Sequence, residues 1–231
     1  MKAPEMKAAM VAKTPMVGVS IMFSSPQLVE MIAALGFDWV LIDCEHGSID
    51  LSNLEVMAIA AKAAGITAIA RPPSNSSIDI MRVMDRGVDG VQVPHIKSQK
   101  EAKAAVESVK FHPLGNRGLA MGTRPSNYGI GVELDQYSKT SNLDSIVVLQ
   151  IEDREAIENL DDILSVADVD VFFVGPSDLS QSLGHPGKAN KPPVSTAITK
   201  IFRSISEAGL TSGTASSEKQ MEKAKKEGCC Y

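Results

Sequence analysis

Short apolar runs and longer amphipathic stretches alternate along almost the whole chain. The first apolar run, residues 16–23, predicts a strand. A helix is expected over 26–35, with Ser25 as N-cap, Pro26 at the first helical position and Gly36 as the stop. Trp39–Asp43 is a continuous apolar run ending in an acid, the pattern of a strand covered on both faces. Further strands are predicted at 67–71, 90–94, 145–151, 169–174 and 210–214, with helices at 54–64, 77–86, 97–110, 154–166, 194–208 and 217–227. Residues 1–13, rich in Lys and Met, read as a frayed terminus. The Gly-, Pro- and Asn-rich stretch 111–134 reads as a long functional or disordered loop.

Seven strands, each followed by a helix, and the opening of an eighth at Gly228–Tyr231 point to an α/β fold, a (β/α)8 TIM barrel. Residues 1–231 then form one domain in which the eighth unit is truncated. A doubly wound open sheet is the runner-up, but no Gly-x-Gly-x-x-Gly follows the first strand.

Composition narrows the partners. Lys and Arg total 23 against 28 Asp and Glu, a net charge of −5, and aromatics are only 4%. A general nucleic-acid binder carries a basic face and stacking rings, so that class is set aside. No apolar window of about 18 residues predicts a membrane span, and the first residues do not have the pattern of a secretion signal. Three cysteines, two of them adjacent, make a poor disulfide framework. The expected compartment is the cytoplasm.

In a barrel of this kind the active site lies at the C-terminal ends of the strands. The second strand ends in Asp43-Cys44-Glu45-His46, the third in Arg71-Pro72, the fourth in Pro94-His95, the fifth in Gln150-Ile151-Glu152-Asp153 and the sixth in Gly175-Pro176-Ser177-Asp178. Glu152 and Asp178, one βα unit apart, are the natural metal pair, and two carboxylates favour a hard divalent cation. Each could instead merely cap the helix that follows it. Arg71 can grip a carboxylate or a developing oxyanion, or simply pair with Asp43 or Glu45. His46 suits an acid/base role, against the plainer reading of a surface histidine. The remaining histidines, His95, His112 and His185, are scattered and lack zinc spacing. No strand-end Lys offers a Schiff base.

Together these segments, with Pro113-x-Gly115-x-Arg117-Gly118 and Gly175-Pro-Ser-Asp178-Leu-Ser180, resemble the HpcH/HpaI family of class II, metal-dependent pyruvate aldolases over nearly the whole chain. The resemblance implies a lyase that cleaves a 4-hydroxy-2-oxo acid to pyruvate and an aldehyde through a metal-stabilised pyruvate enolate. It implies Mg²⁺, Mn²⁺ or Co²⁺ on Glu152 and Asp178, with Arg71 adding positive charge at the keto oxygen. His46 would act as the base, oriented by Asp85, which on its own reads as a solvated helix-end charge. Gln150 and Ser177 would line the pyruvate site, and Asp43 would help place the aldehyde, either within the chain or across a subunit interface. Arg117 and Arg124 are candidates for aldehyde recognition. The resemblance also implies a homo-oligomer, a hexamer built as a trimer of dimers. An acyl-CoA lyase of the citrate-lyase β type, or an inactive metal-binding barrel, are the alternatives.

Overall fold

The computed structural model describes every residue from Met1 to Tyr231. Seven parallel strands lie in chain order in one sheet: β1 Gly18–Ile21, β2 Trp39–Asp43, β3 Thr67–Arg71, β4 Gly90–Val93, β5 Ile146–Ile151, β6 Val171–Val174 and β7 Ser212–Thr214. The register sets Asp43 beside Arg71 at the C-terminal ends of β2 and β3. The last three residues occupy the next position around the sheet. Cys229 bridges to Ser212, Cys230 donates its N–H to Ser212 O (3.0 Å), and Met16 N–H reaches Cys230 O (2.9 Å). The segment before β1 is thereby joined to the segment after β7, and the sheet curls round as a barrel does.

Side-chain alternation separates two cores, because successive residues of a strand face opposite sides. Val40, Ile42, Ala68, Ala70, Val91, Val93, Val147, Leu149, Phe172 and Val174 face the helices in one large cluster. Trp39, Leu41, Ile69, Ile146, Val148, Val171, Phe173 and Tyr231 fill the interior. Trp39 stacks on Tyr231 with ring centroids 4.0 Å apart. Gly18 passes so close to the Trp39 ring that no side chain fits there. Along the interior parity the residues become polar toward the C-terminal ends: Ile69 gives way to Arg71, and Val148 to Gln150 and Glu152. That change of character on the same strands creates a polar mouth above an apolar plug.

The helices are α1 Ala3–Val11, α2 Pro26–Ala34, α3 Leu51–Ala64, α4 Ser77–Met84, α5 Gln99–Val109, α6 Leu134–Asp144, α7 Arg154–Glu158, α8 Leu160–Leu164, α9 Pro176–Ser182, α10 Val194–Glu207 and α11 Glu218–Lys226. Ser25, Asp50, Ser76 and Ser98 cap α2, α3, α4 and α5 through their side chains. No helix is long and apolar enough to cross a membrane.

The N-terminal expectation needs correction. Residues 1–13 are not frayed: α1 buries Ala3, Met6 and Met10 among the interior residues. Met1 O and Met10 O accept hydrogen bonds from Thr67 and Thr211, at the start of β3 and just before β7. The 111–134 loop is also ordered by named contacts. Asn142 of α6 pairs with both backbone groups of Phe111, and Arg117 pairs with Asp85 while lying over the Phe111 ring.

Candidate active site

A cavity of about 410 Å³ opens at the C-terminal ends of the strands. His46, Arg71, Gln150, Glu152, Ser177 and Asp178 all line it, together with Ser20, Gln92, Thr214 and Lys225. Glu152 and Asp178 are the only carboxylates in that lining.

Glu152 follows β5 and is 1% exposed. Its Oε1 accepts the His95 N–H at 2.9 Å and its Oε2 accepts Gln150 Nε2 at 2.5 Å. Burial pushes its carboxyl above the ordinary range. The His95 N–H and imidazole and the Gln150 amide act against that shift, and the Asp178 charge adds to it. Gly175, just past β6, lies against the Glu152 carboxylate where any side chain would collide with it. Asp178 sits in the first turn of α9, started by Pro176 immediately beyond β6. A strand end and the first turn of a short helix thus turn two acids toward one space.

Gln150 is held on several sides. It donates to Glu152, accepts from Gln92 Nε2 at 2.6 Å, and faces Arg71 Nη1 at 3.5 Å. Gln92 in turn accepts from Tyr231 Oη at 3.2 Å. This buried chain runs from the interior plug to the mouth and fixes which end of each amide points where.

Arg71 makes both pairings that its position allows. It forks onto Asp43 through Nε (3.0 Å) and Nη2 (2.5 Å), and Nε lies 3.2 Å from Glu45 Oε2. Burial of Asp43 favours the protonated acid, but the Arg71 fork and charge and the His46 and Glu45 N–H groups outweigh it. The Asp43 carboxyl therefore lies below its usual range. The same backbone bonds shape the loop that carries His46. The His46 ring is 52% exposed at the rim, with Nε2 3.7 Å from Glu45 Oε2.

Two expected residues are placed elsewhere. Asp43 is fully buried beside Arg71 and is not among the residues that line the cavity. Asp85 caps the C-terminal end of α4 and pairs with Arg117 at 2.7 Å. Helices return antiparallel to the strands, so Asp85 lies at the opposite end of the barrel from His46 and does not orient it within one chain. Arg117 and Arg124 lie at that same far end, Arg124 donating to Gly87 O. The cation that does line the mouth, besides Arg71, is Lys225 of α11. His95, which sequence spacing left unassigned, contacts Glu152, Asp153 and Glu45 at once.

The arrangement fits a hard divalent cation: two carboxylates face one cavity, one of them buried and oriented by two donors, with room for oxygen ligands beside them. No larger group of His, Cys, Asp or Glu gathers as a metal cage.

Residues 17–229 match the family described as HpcH/HpaI aldolase/citrate lyase. The chain is 32% identical to the hydroxypyruvate/pyruvate aldolase of Sagittula stellata over 96% of this chain and 86% of that one. It is 35% identical to the 5-keto-4-deoxy-D-glucarate aldolase of Shigella boydii over 90% and 79% of the two chains. Its fold matches the crystal structure of an HpcH/HpaI aldolase/citrate lyase family protein from Burkholderia cenocepacia with a TM-score of 0.92, at 27% identity, over 98% of this chain and 90% of that one. This family is in general divalent-metal dependent. A parallel barrel-type sheet, a mouth lined by two carboxylates, and aldolases as relatives over nearly the full length agree: the protein is an aldolase-type lyase, and the chain belongs to the HpcH/HpaI aldolase/citrate lyase family.

Proposed function

We propose that residues 1–231 form one catalytic domain that reversibly cleaves a 4-hydroxy-2-oxo acid to pyruvate and an aldehyde, with Glu152 and Asp178 holding Mg²⁺, Mn²⁺ or Co²⁺. The observation that carries this reading is the meeting of these two carboxylates, alone of their kind, with Arg71, Gln150 and His46 around one cavity. When bound, the cation supplies Lewis acidity toward the carboxylate and keto oxygen of the 2-oxo acid.

The side chains then divide the work. Arg71 is already fixed by Asp43 and Glu45, so its Nη1 faces the cavity without needing to reorganise. It donates to the keto oxygen as negative charge grows there. Gln150, its orientation set by Gln92 and Glu152, and Ser177 at the rim bound the space for the three-carbon fragment. His46 takes the proton of the C4 hydroxyl at an imidazole nitrogen, directly or through a water. The C3–C4 bond breaks and the hydroxyl carbon leaves as the aldehyde. The electron pair passes to C3 and the keto oxygen, and protonation at C3 releases pyruvate. Asp43 acts through Arg71 rather than on the aldehyde.

Three unpaired cysteines suit a reducing compartment, and we place the protein in the cytoplasm as a homo-oligomer, a trimer of dimers. The test is pyruvate release, coupled to lactate dehydrogenase, from a panel of 4-hydroxy-2-oxo acids. Activity lost to a chelator and restored by Mg²⁺, Mn²⁺ or Co²⁺ is expected. Cleavage that withstands complete chelation, or turnover confined to acyl-CoA substrates, contradicts the reading.

A further inference from the structure

The loop after β4 carries a feature that the scheme above leaves unused. His95 has φ of +54°. That left-handed conformation is uncommon for residues other than glycine; Asn, Asp and His enter it more readily than most, and β-branched residues hardly at all. The backbone here is locked on several sides. Asn75 Nδ2 donates to His95 O at 3.3 Å, and the next residue, Ile96, donates its N–H to Gln150 O at 3.3 Å. The imidazole lies among three carboxylates, Nδ1 3.0 Å from Asp153 Oδ2 and 3.6 Å from Glu152 Oε1, and Nε2 3.4 Å from Glu45 Oε1. The outcome is a His95 N–H aimed at Glu152 Oε1 from 2.9 Å.

Glu152 is therefore steered by both of its oxygens. Gln150 holds Oε2 from its own strand, and His95 holds Oε1 from the neighbouring loop. Asp153 follows Glu152 directly, so the imidazole bridge ties the β4 and β5 loops together beside the buried carboxylate. A free carboxylate rotor must be ordered before it can bind an ion, whereas this one is ordered in advance.

We propose that His95 is a positioning residue: its left-handed backbone, braced by the imidazole bridge to Asp153 and Glu45, fixes Glu152 Oε1 and so sets how tightly Glu152 and Asp178 hold a divalent cation. The inference rests on the reading of Glu152 and Asp178 as the ligands of that cation. The N–H is the working part, and the bridge selects the conformation that presents it. Partners of ligating groups commonly change metal affinity by about 10–100-fold.

Mn²⁺ affinity, read from the electron paramagnetic resonance of the free ion, tests this in wild type, Glu152→Gln, His95→Asn and His95→Val, with the melting temperature of each metal-free protein alongside. Asn enters the left-handed region readily without the bridge, and a β-branched side chain does not. The expected order is wild type close to His95→Asn, with His95→Val weaker by about tenfold and Glu152→Gln weakest. A loss of general stability alone would lower melting temperatures without separating Asn from Val in Mn²⁺ affinity. Should His95→Val not fold, His95→Ala, also disfavoured at this φ, takes its place. The inference is overturned if Glu152→Gln loses Mn²⁺ while His95→Val binds as wild type does, or while His95→Asn is as weak as His95→Val. Wild-type affinity in Glu152→Gln overturns the ligand reading itself, so the two failures are distinct.

Discussion

Arg71 clasps Asp43 with Nε and Nη2 and leaves Nη1 facing Gln150 Oε1 at 3.5 Å. Two arms of the guanidinium are committed to the wall of the barrel and the third is offered to the cavity. A lysine cannot reproduce that fork. Arg71→Lys is expected to lower kcat by about 10²–10³-fold, the range for removing one donor to a developing oxyanion. Steady-state kinetics of pyruvate release check it, and an unchanged kcat would show that the clasp is structural alone.

The same pair makes stability depend on acid. The Asp43 carboxyl in the folded chain lies below the value of about 3.9 that an unfolded Asp has. Its stabilisation is therefore complete above about pH 4 and is lost as the pH falls through the lower folded value. Urea midpoints should fall in Asp43→Asn at pH 6, and the gap from wild type should close below about pH 4. A gap that stays constant from about pH 6 to pH 3 contradicts this.

Cys44 sits between Asp43 and Glu45 but does not line the cavity. Burial and then the Asp43 and Asp50 charges push its thiol up to about 12, and burial does the same to Cys229. The nucleophile is the thiolate, so native protein should not react with a thiol-specific disulfide reagent at neutral pH, and its activity should survive iodoacetamide. After unfolding, all 3 cysteines should react. Rapid labelling of the half-buried Cys44 in the native protein would contradict the raised thiol.

The N-terminal helix is part of the barrel interior. Met6 and Met10 are 0% and 2% exposed. Replacing either by Ala removes buried volume and is expected to cost about 2–5 kcal/mol in chemical unfolding. A change under about 0.5 kcal/mol, the usual range for surface sites, would show that α1 is peripheral.

Much of the fold is legible in residue patterns. Apolar runs with polar residues only at their ends mark β2 and β3 to the residue, because a strand covered on both faces needs apolar side chains along its middle. Three helices carry no such pattern. Helix α1 has only scattered methionines, whose burial depends on strands distant in the chain. Helix α6 buries a single residue, Asn142, so no apolar face announces it. Helix α9 is 7 residues long and begins directly at the end of a strand. The expected helix 154–166 is split at Asn159, whose backbone is not helical, into α7 and α8.

The site divides in the same way. Residue type at strand ends is enough to bring His46, Arg71, Gln150, Glu152, Ser177 and Asp178 into one cavity, because parallel strands all end at one rim. Asp85, Arg117 and Arg124 carry suitable charges but follow helices rather than strands, and end at the other face. His95 is hidden for a different reason. Its contribution lies in a backbone angle, and residue type alone does not show a left-handed histidine.

Anomalous diffraction from crystals soaked in Mn²⁺ tests whether Glu152 and Asp178 hold the cation. One strong peak is expected in the cavity, within about 2.0–2.6 Å of an oxygen of Glu152 and of Asp178, absent in Glu152→Gln crystals whose protein no longer releases pyruvate. A protein that releases pyruvate at the wild-type rate with no peak at those two carboxylates would contradict that assignment.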